Sequence, residues 1–183
     1  DLISPSNDPE GFRIELDAML DALESFPSIV VWVPFNEAWG QHNTDEVLTH
    51  VMLRDPSRLV DGPSGWTDTG TGHMRDHHLY QDAEKLPAHE DGRATVYGEF
   101  GGISLYVDGH VIVEKGWGYT KTETAEDLRA SYSQLLGDIA VLIPEGLAGV
   151  IYTQTTDVES EINGLLTYDR NYKLDPEILR SIH

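Results

Sequence analysis

The chain has no cysteine, little positive charge and no long apolar run, and each lack excludes something. Without cysteine there is no disulfide framework and no thiol chemistry, and the redox compartment stays open. Only 12 Lys and Arg stand against 32 Asp and Glu, a net charge of −20. That balance repels nucleic acid and anionic lipid, so neither nucleic acid nor a membrane is expected as a partner. No apolar stretch approaches the length of a membrane span. The opening residues, "DLISPSNDPEG", lack the basic start and apolar middle of a signal peptide, and they lack an initiating Met. They read as the start of a processed chain or of a piece of something longer.

What is present is enough for one domain with a core: 183 residues, of which 39% are hydrophobic. No repeat and no low-complexity tract interrupts them. Strand-like and helix-like segments alternate. Asp8 and Pro9 have the chemistry of an N-cap and first helical position, and Phe12, Leu16, Met19, Leu20 and Leu23 then share one helical face. "SIVVWVPF" (28–35) is a continuous apolar run suited to a parallel strand covered on both faces. Thr44 is placed to cap a second helix, and Thr124 with Asp127 forms a capping-box pattern before a third. "RLVDG" (58–62), "HHLY" (77–80), "RATVYGEF" (93–100) and "LAGVIYTQT" (147–155) complete five candidate strands, and a last short helix is expected near Pro176. Alternation of this kind predicts a parallel α/β sheet, either part of a barrel or an open doubly wound sheet.

Several of these strands end in polar residues. Asn36 and Glu37 close the first, Trp66 and Asp68 lie beyond the second, and His78 with Tyr80 and then Glu99 end the next two. Carboxylates on two strand ends invite acid–base chemistry. Glycoside hydrolysis needs one carboxylic acid to protonate the departing oxygen and one carboxylate to attack or to activate water, about 5–5.5 Å apart in retaining enzymes. Glu37 follows an apolar strand close to Trp39, which suits a proton donor. Glu99 sits among glycines in "YGEFGG" with Tyr80 in reach, which suits an ionised nucleophile.

Three segments carry a resemblance. "VPFNEAWGQ" resembles the strand-four signature of the large retaining-glycosidase clan, where Asn-Glu ends the strand. "YGEFGG" resembles its strand-seven nucleophile signature, and "GVIYTQTTDVESEINGLLTYDR" the strand-eight segment of glycoside hydrolase family 2, the family of β-galactosidases, β-glucuronidases and β-mannosidases. The resemblance implies the carboxyl-terminal part of a (β/α)8 TIM barrel, with only about strands 4–8 in this chain, although a whole barrel needs eight strands and about 250 residues. It implies retaining hydrolysis of a β-linked glycoside, β-galactosidase-like, through a covalent glycosyl-enzyme. Glu37 then matches the general acid/base, Glu99 the nucleophile, Asn36 the amide that binds the sugar 2-hydroxyl, and Tyr80 the tyrosine that orients the nucleophile. His78, Trp39, Trp66 and Gln154 are further substrate-contact candidates. At strand eight many members carry Trp where this chain has Tyr152, Thr153 and Gln154.

No cofactor is required by this chemistry. The candidates for a divalent cation are His73, Asp76, His77 and His78, in "GHMRDHH". The expected partner is a carbohydrate, and a second copy of the chain or upstream domains would cover an open sheet edge. The alternative class is a non-catalytic carbohydrate-binding or assembly fragment. The segment 101–121 reads as a small hairpin about "VDGH".

Overall fold

The computed structural model describes residues 8–80 and 91–183. The opening segment "DLISPSN" lies outside them. The first helix, α1 (Pro9–Leu23), begins where the capping chemistry places it: the Asp8 carboxylate accepts the Gly11 amide at 2.9 Å. Phe12, Leu16 and Leu20 are buried on its inner face. The apolar run 28–35 yields a strand of only two residues, β1 (Val31–Trp32), paired in parallel with β2 (Leu59–Val60). Helix α2 (Thr44–Arg54) intervenes. Its cap is Asn43 in the left-handed region (φ 42°), and Thr44 is its first residue rather than its cap. Phe12, Leu16 and Leu20 join Trp32, Phe35, Val47, Leu48, Val51 and Val60 in one apolar core. The helices thus cover the short sheet, and burial rather than strand length stabilises it.

Strands β3 (Met74–Leu79), β4 (Ala94–Gly101) and β7 (Leu147–Thr153) form a second parallel sheet with β4 in the middle. A third joins β5 (Ile103–Leu105) to β6 (Thr120–Thr122). That pairing is parallel, so the segment 101–121 is a crossover connection and not the expected hairpin. Helix α3 (Ala125–Leu142) carries the capping box: Thr124 accepts the Asp127 amide and Asp127 accepts the Thr124 amide, each at 3.1 Å. A short α4 (Pro176–Ile182) follows Asp175, which caps it. No helix among the described residues is long and apolar enough to cross a membrane.

The barrel expectation is corrected by this topology. A barrel closes one continuous ring of paired, tilted strands. Here the seven strands of the described residues fall into three small parallel sheets of two or three, and none closes. Apolar side chains on or beside these short strands remain exposed, among them Val30, Leu59 and Ile151. Two compact units result, one of residues 8–78 and 91–98, the other of residues 79–80 and 99–183.

Candidate active site

In the first unit the chain leaves β1 through Pro34 and Phe35 and then turns sharply. Trp39 donates its amide to the Asn36 carbonyl at 2.8 Å, with Glu37 and Ala38 at φ 49° and 66°. Positive φ at both central positions is the type I′ arrangement, normally filled by Gly or Asn. A glutamate and an alanine there cost strain, and strain of this kind clusters at functional sites. The turn is pinned from one side: Glu37 donates its amide to the Ser64 carbonyl at 2.9 Å, and the Ser64 hydroxyl donates to Asn36 Oδ1 at 3.1 Å. The Asn36 carboxamide is therefore engaged with Ser64.

The Glu37 side chain is held by a histidine. His78 Nδ1 lies 2.7 Å from Glu37 Oε1, and the His78 side chain is fully buried. The rest of that imidazole is walled in. A Cβ at Gly65 would come within 2.7 Å of the ring, and the Trp66 ring is tilted against it with centroids 5.8 Å apart. Trp66 and Trp39 are both about half exposed, so each presents an apolar ring to solvent.

In the second unit Tyr80 donates its phenol hydrogen to Glu99 Oε2 at 2.7 Å, and the Thr153 hydroxyl lies 3.4 Å from the same oxygen. Tyr80 is stacked face to face on Tyr119 (3.5 Å, 3°), and Trp117 meets Tyr119 edge-on. The glycines after Glu99 have a steric reason. Gly101 and Gly102 have φ of 89° and 65°, and the Tyr152 and Tyr119 rings occupy the space their Cβ atoms would need. Gln154 follows a cis peptide bond and turns its amide to Asn163 Oδ1 at 3.0 Å. A cavity of about 360 Å³ borders Tyr80, lined also by Ile103, Thr120, Gln134 and Asp138.

The geometry thus joins Glu37 to His78, and Tyr80 to Glu99. It does not assemble His73, Asp76, His77 and His78 as one set of metal ligands among the described residues. His73 Nδ1 instead accepts the Val60 amide at 2.9 Å. Sequence reasoning missed the role of Asp76, which is buried beside His78 with 3.6 Å between its Oδ2 and Nε2. The signal was available: residues 76 and 78 are two apart on one strand and so share a face. Asp61, buried near Asp76, had no signal beyond its position just after a strand. Chemically, each glutamate has one oxygen bonded to a ring partner, Glu37 Oε1 to His78 and Glu99 Oε2 to Tyr80, and each bond helps to fix the direction of its carboxylate.

No family model matches the sequence, and no curated protein matches it either.

Proposed function

We propose that the chain is a retaining glycosidase of the family 2 kind, acting on a β-linked glycoside, β-galactosidase-like, with Glu99 as nucleophile and Glu37 as general acid/base. The observation that supports this most is the 2.7 Å bond from the Tyr80 phenol to Glu99. A phenol donating to one carboxylate oxygen aims the other, as in-line attack on a sugar carbon requires. The strained turn under Glu37 adds a second mark of a working site.

In the first half-reaction Glu99 attacks the anomeric carbon. The carbon–oxygen bond to the leaving group breaks, and Glu37 gives its proton to the departing oxygen. In the second, Glu37 takes a proton from water, the hydroxide attacks the same carbon, and the ester to Glu99 breaks. Configuration is inverted twice and so retained. Asn36 and Gln154 are polar groups for sugar hydroxyls, and the exposed rings of Trp39 and Trp66 suit the C–H faces of sugars.

The test is covalent trapping. A 2-deoxy-2-fluoro-β-galactoside with a dinitrophenolate leaving group should glycosylate the chain once, with release of one dinitrophenolate, and peptide mass spectrometry should find the sugar on Glu99. Glu99→Gln should abolish labelling and reduce turnover by about 10⁴-fold or more. No adduct on Glu99, with sugar binding retained, would overturn the enzyme reading in favour of a non-catalytic binding module.

A further inference from the structure

Behind the Glu37–His78 pair lies a second pair of acids that glycoside chemistry does not call for. Asp76 is two residues before His78 on β3, and its side chain is fully buried. Its Oδ1 accepts the Gly98 amide at 2.5 Å. Gly98 has to be glycine, because a Cβ there would occupy the space of the Asp76 carboxylate. The other oxygen, Oδ2, is buried, accepts no hydrogen bond from an amide, hydroxyl or cationic donor, and lies 3.6 Å from His78 Nε2. Beside Asp76 stands Asp61, only 4% exposed. Burial, and then the charge of Asp76, push the Asp61 carboxyl up to about 9, with Asp68 adding to the rise and Arg93 opposing it. Asp61 is then neutral near pH 7 and able to donate a hydrogen bond to Asp76. Two buried carboxyls in contact would be costly as a pair of charges. With one proton between them they form a single anion aimed at the imidazole.

We propose that Asp76, with Asp61 behind it, is the positioning residue that sets the tautomer of His78 and thereby holds Glu37 as a proton donor. This rests on Glu37 being the acid. A carboxylate beside Nε2 favours the ring hydrogen on that nitrogen. A neutral imidazole then has only a lone pair at Nδ1. Nδ1 is 2.7 Å from Glu37 Oε1, so the bond between them needs the carboxyl proton of Glu37. That is the form able to protonate a departing oxygen. When the proton leaves for the aglycone, Glu37 becomes the base for the second half-reaction, and the water proton returns to it. His78 carries no net proton through the cycle. The arrangement is the logic by which a carboxylate orients a catalytic histidine in a triad, moved one residue outward.

The experiment pairs a spectroscopic and a kinetic readout on the full chain. With ¹⁵N-labelled histidine, Asp76→Asn should move the two ring resonances of His78 towards the opposite tautomer. The same variant should lose about 10–100-fold in kcat/KM on an alkyl or phenyl β-galactoside, whose departure needs an acid. It should lose less than about 3-fold on the dinitrophenyl galactoside, whose departure does not. His78→Gln should show the same leaving-group split, and the double variant should be no slower than His78→Gln alone. Unmoved His78 resonances, or equal loss on both substrates, would overturn the proposal. Should Asp76→Asn not fold, His78→Gln still decides, since equal loss on the two substrates refutes the pathway to Glu37. If the unaltered chain turns over neither substrate, the glycosidase reading falls with the catalytic half of this proposal. The resonances still decide whether Asp76 sets the tautomer.

Discussion

Tyr80 gives its phenol hydrogen to Glu99 Oε2 across 2.7 Å, while its ring lies parallel to that of Tyr119 at 3.5 Å. The stack fixes the ring and the ring fixes the donor. Tyr80→Phe keeps the stack and removes only the hydroxyl. A hydrogen bond to a charged group contributes about 1.5–3 kcal/mol. The expected loss is therefore about 10–100-fold in the rate of covalent labelling by the fluorosugar, with little change in melting temperature. An unchanged labelling rate would show that Glu99 needs no help from Tyr80.

Asp55 ends α2 and collects three side chains: Trp32 Nε1 at 2.8 Å, Ser57 Oγ at 2.5 Å and Arg58 Nη1 at 2.6 Å. Ser57 foremost, then Trp32, hold its carboxyl well below the ordinary range. A carboxyl lowered by folding contributes stability above about pH 4 that is lost as pH falls further. Asp55→Ala should cost about 2–4 kcal/mol at pH 7, read from urea unfolding followed by Trp fluorescence. The difference from the unaltered chain should shrink in acid. A cost that stays constant from pH 7 to pH 3 would contradict this account.

Asp61 predicts the opposite slope. Its carboxyl is raised by burial to about 9, so folding retains a proton there that the unfolded chain would release. Its contribution is full below about pH 4 and is lost as pH climbs through about 9. Asp61→Asn cannot ionise. Its stability relative to the unaltered chain should rise from pH 5 to pH 8, by as much as about 1 kcal/mol per pH unit. Parallel curves of melting temperature against pH for the two proteins would refute it.

Lys173 and Asp157 are a buried ion pair at 2.7 Å, and the same ammonium donates to the Ile162 carbonyl at 2.8 Å. Neither side chain has more than a trace of exposure. Lys173→Met leaves a buried carboxylate unpaired and should cost about 3–5 kcal/mol. Lys173→Met with Asp157→Leu should recover part of that loss. The recovery is incomplete because the Gly164 amide, now bound to Asp157 at 2.8 Å, loses its acceptor. A double variant less stable than the single one would show that the charge pair itself was not the penalty.

The local rules held where the structure depends on neighbours a few residues away. The Asp8 cap, the Thr124–Asp127 box and the apolar face of α1 were all legible, because capping and helical periodicity act within one turn. Strand extent was not. The apolar run 28–35 contributes only Val31 and Trp32 to a sheet, since a strand exists only as far as a partner pairs with it. The parallel pairing of β5 with β6 was equally hidden, because "VDGH" is a competent turn in either arrangement. The barrel expectation fails for the same reason: the strands of the described residues pair in three small sheets, and none closes.

Of the candidate site, the residue types were readable from the chain alone; Asn36 and Glu37 do follow β1 and Tyr80 follows β3, whereas His78 and Glu99 lie within β3 and β4. What each one touches was decided by folding. Glu37 meets His78 across 41 residues, Tyr80 meets Glu99 across 19, and Thr153 approaches Glu99 across 54. Burial of Asp61 and Asp76 is likewise a property of what packs around them, and nothing in "LVDG" or "MRDHH" encodes it. Caps, turns and helical faces are short-range and were fixed by the amino acids themselves. Partners, burial and the proton a buried acid keeps depend on distant segments meeting, and only the tertiary structure settles them.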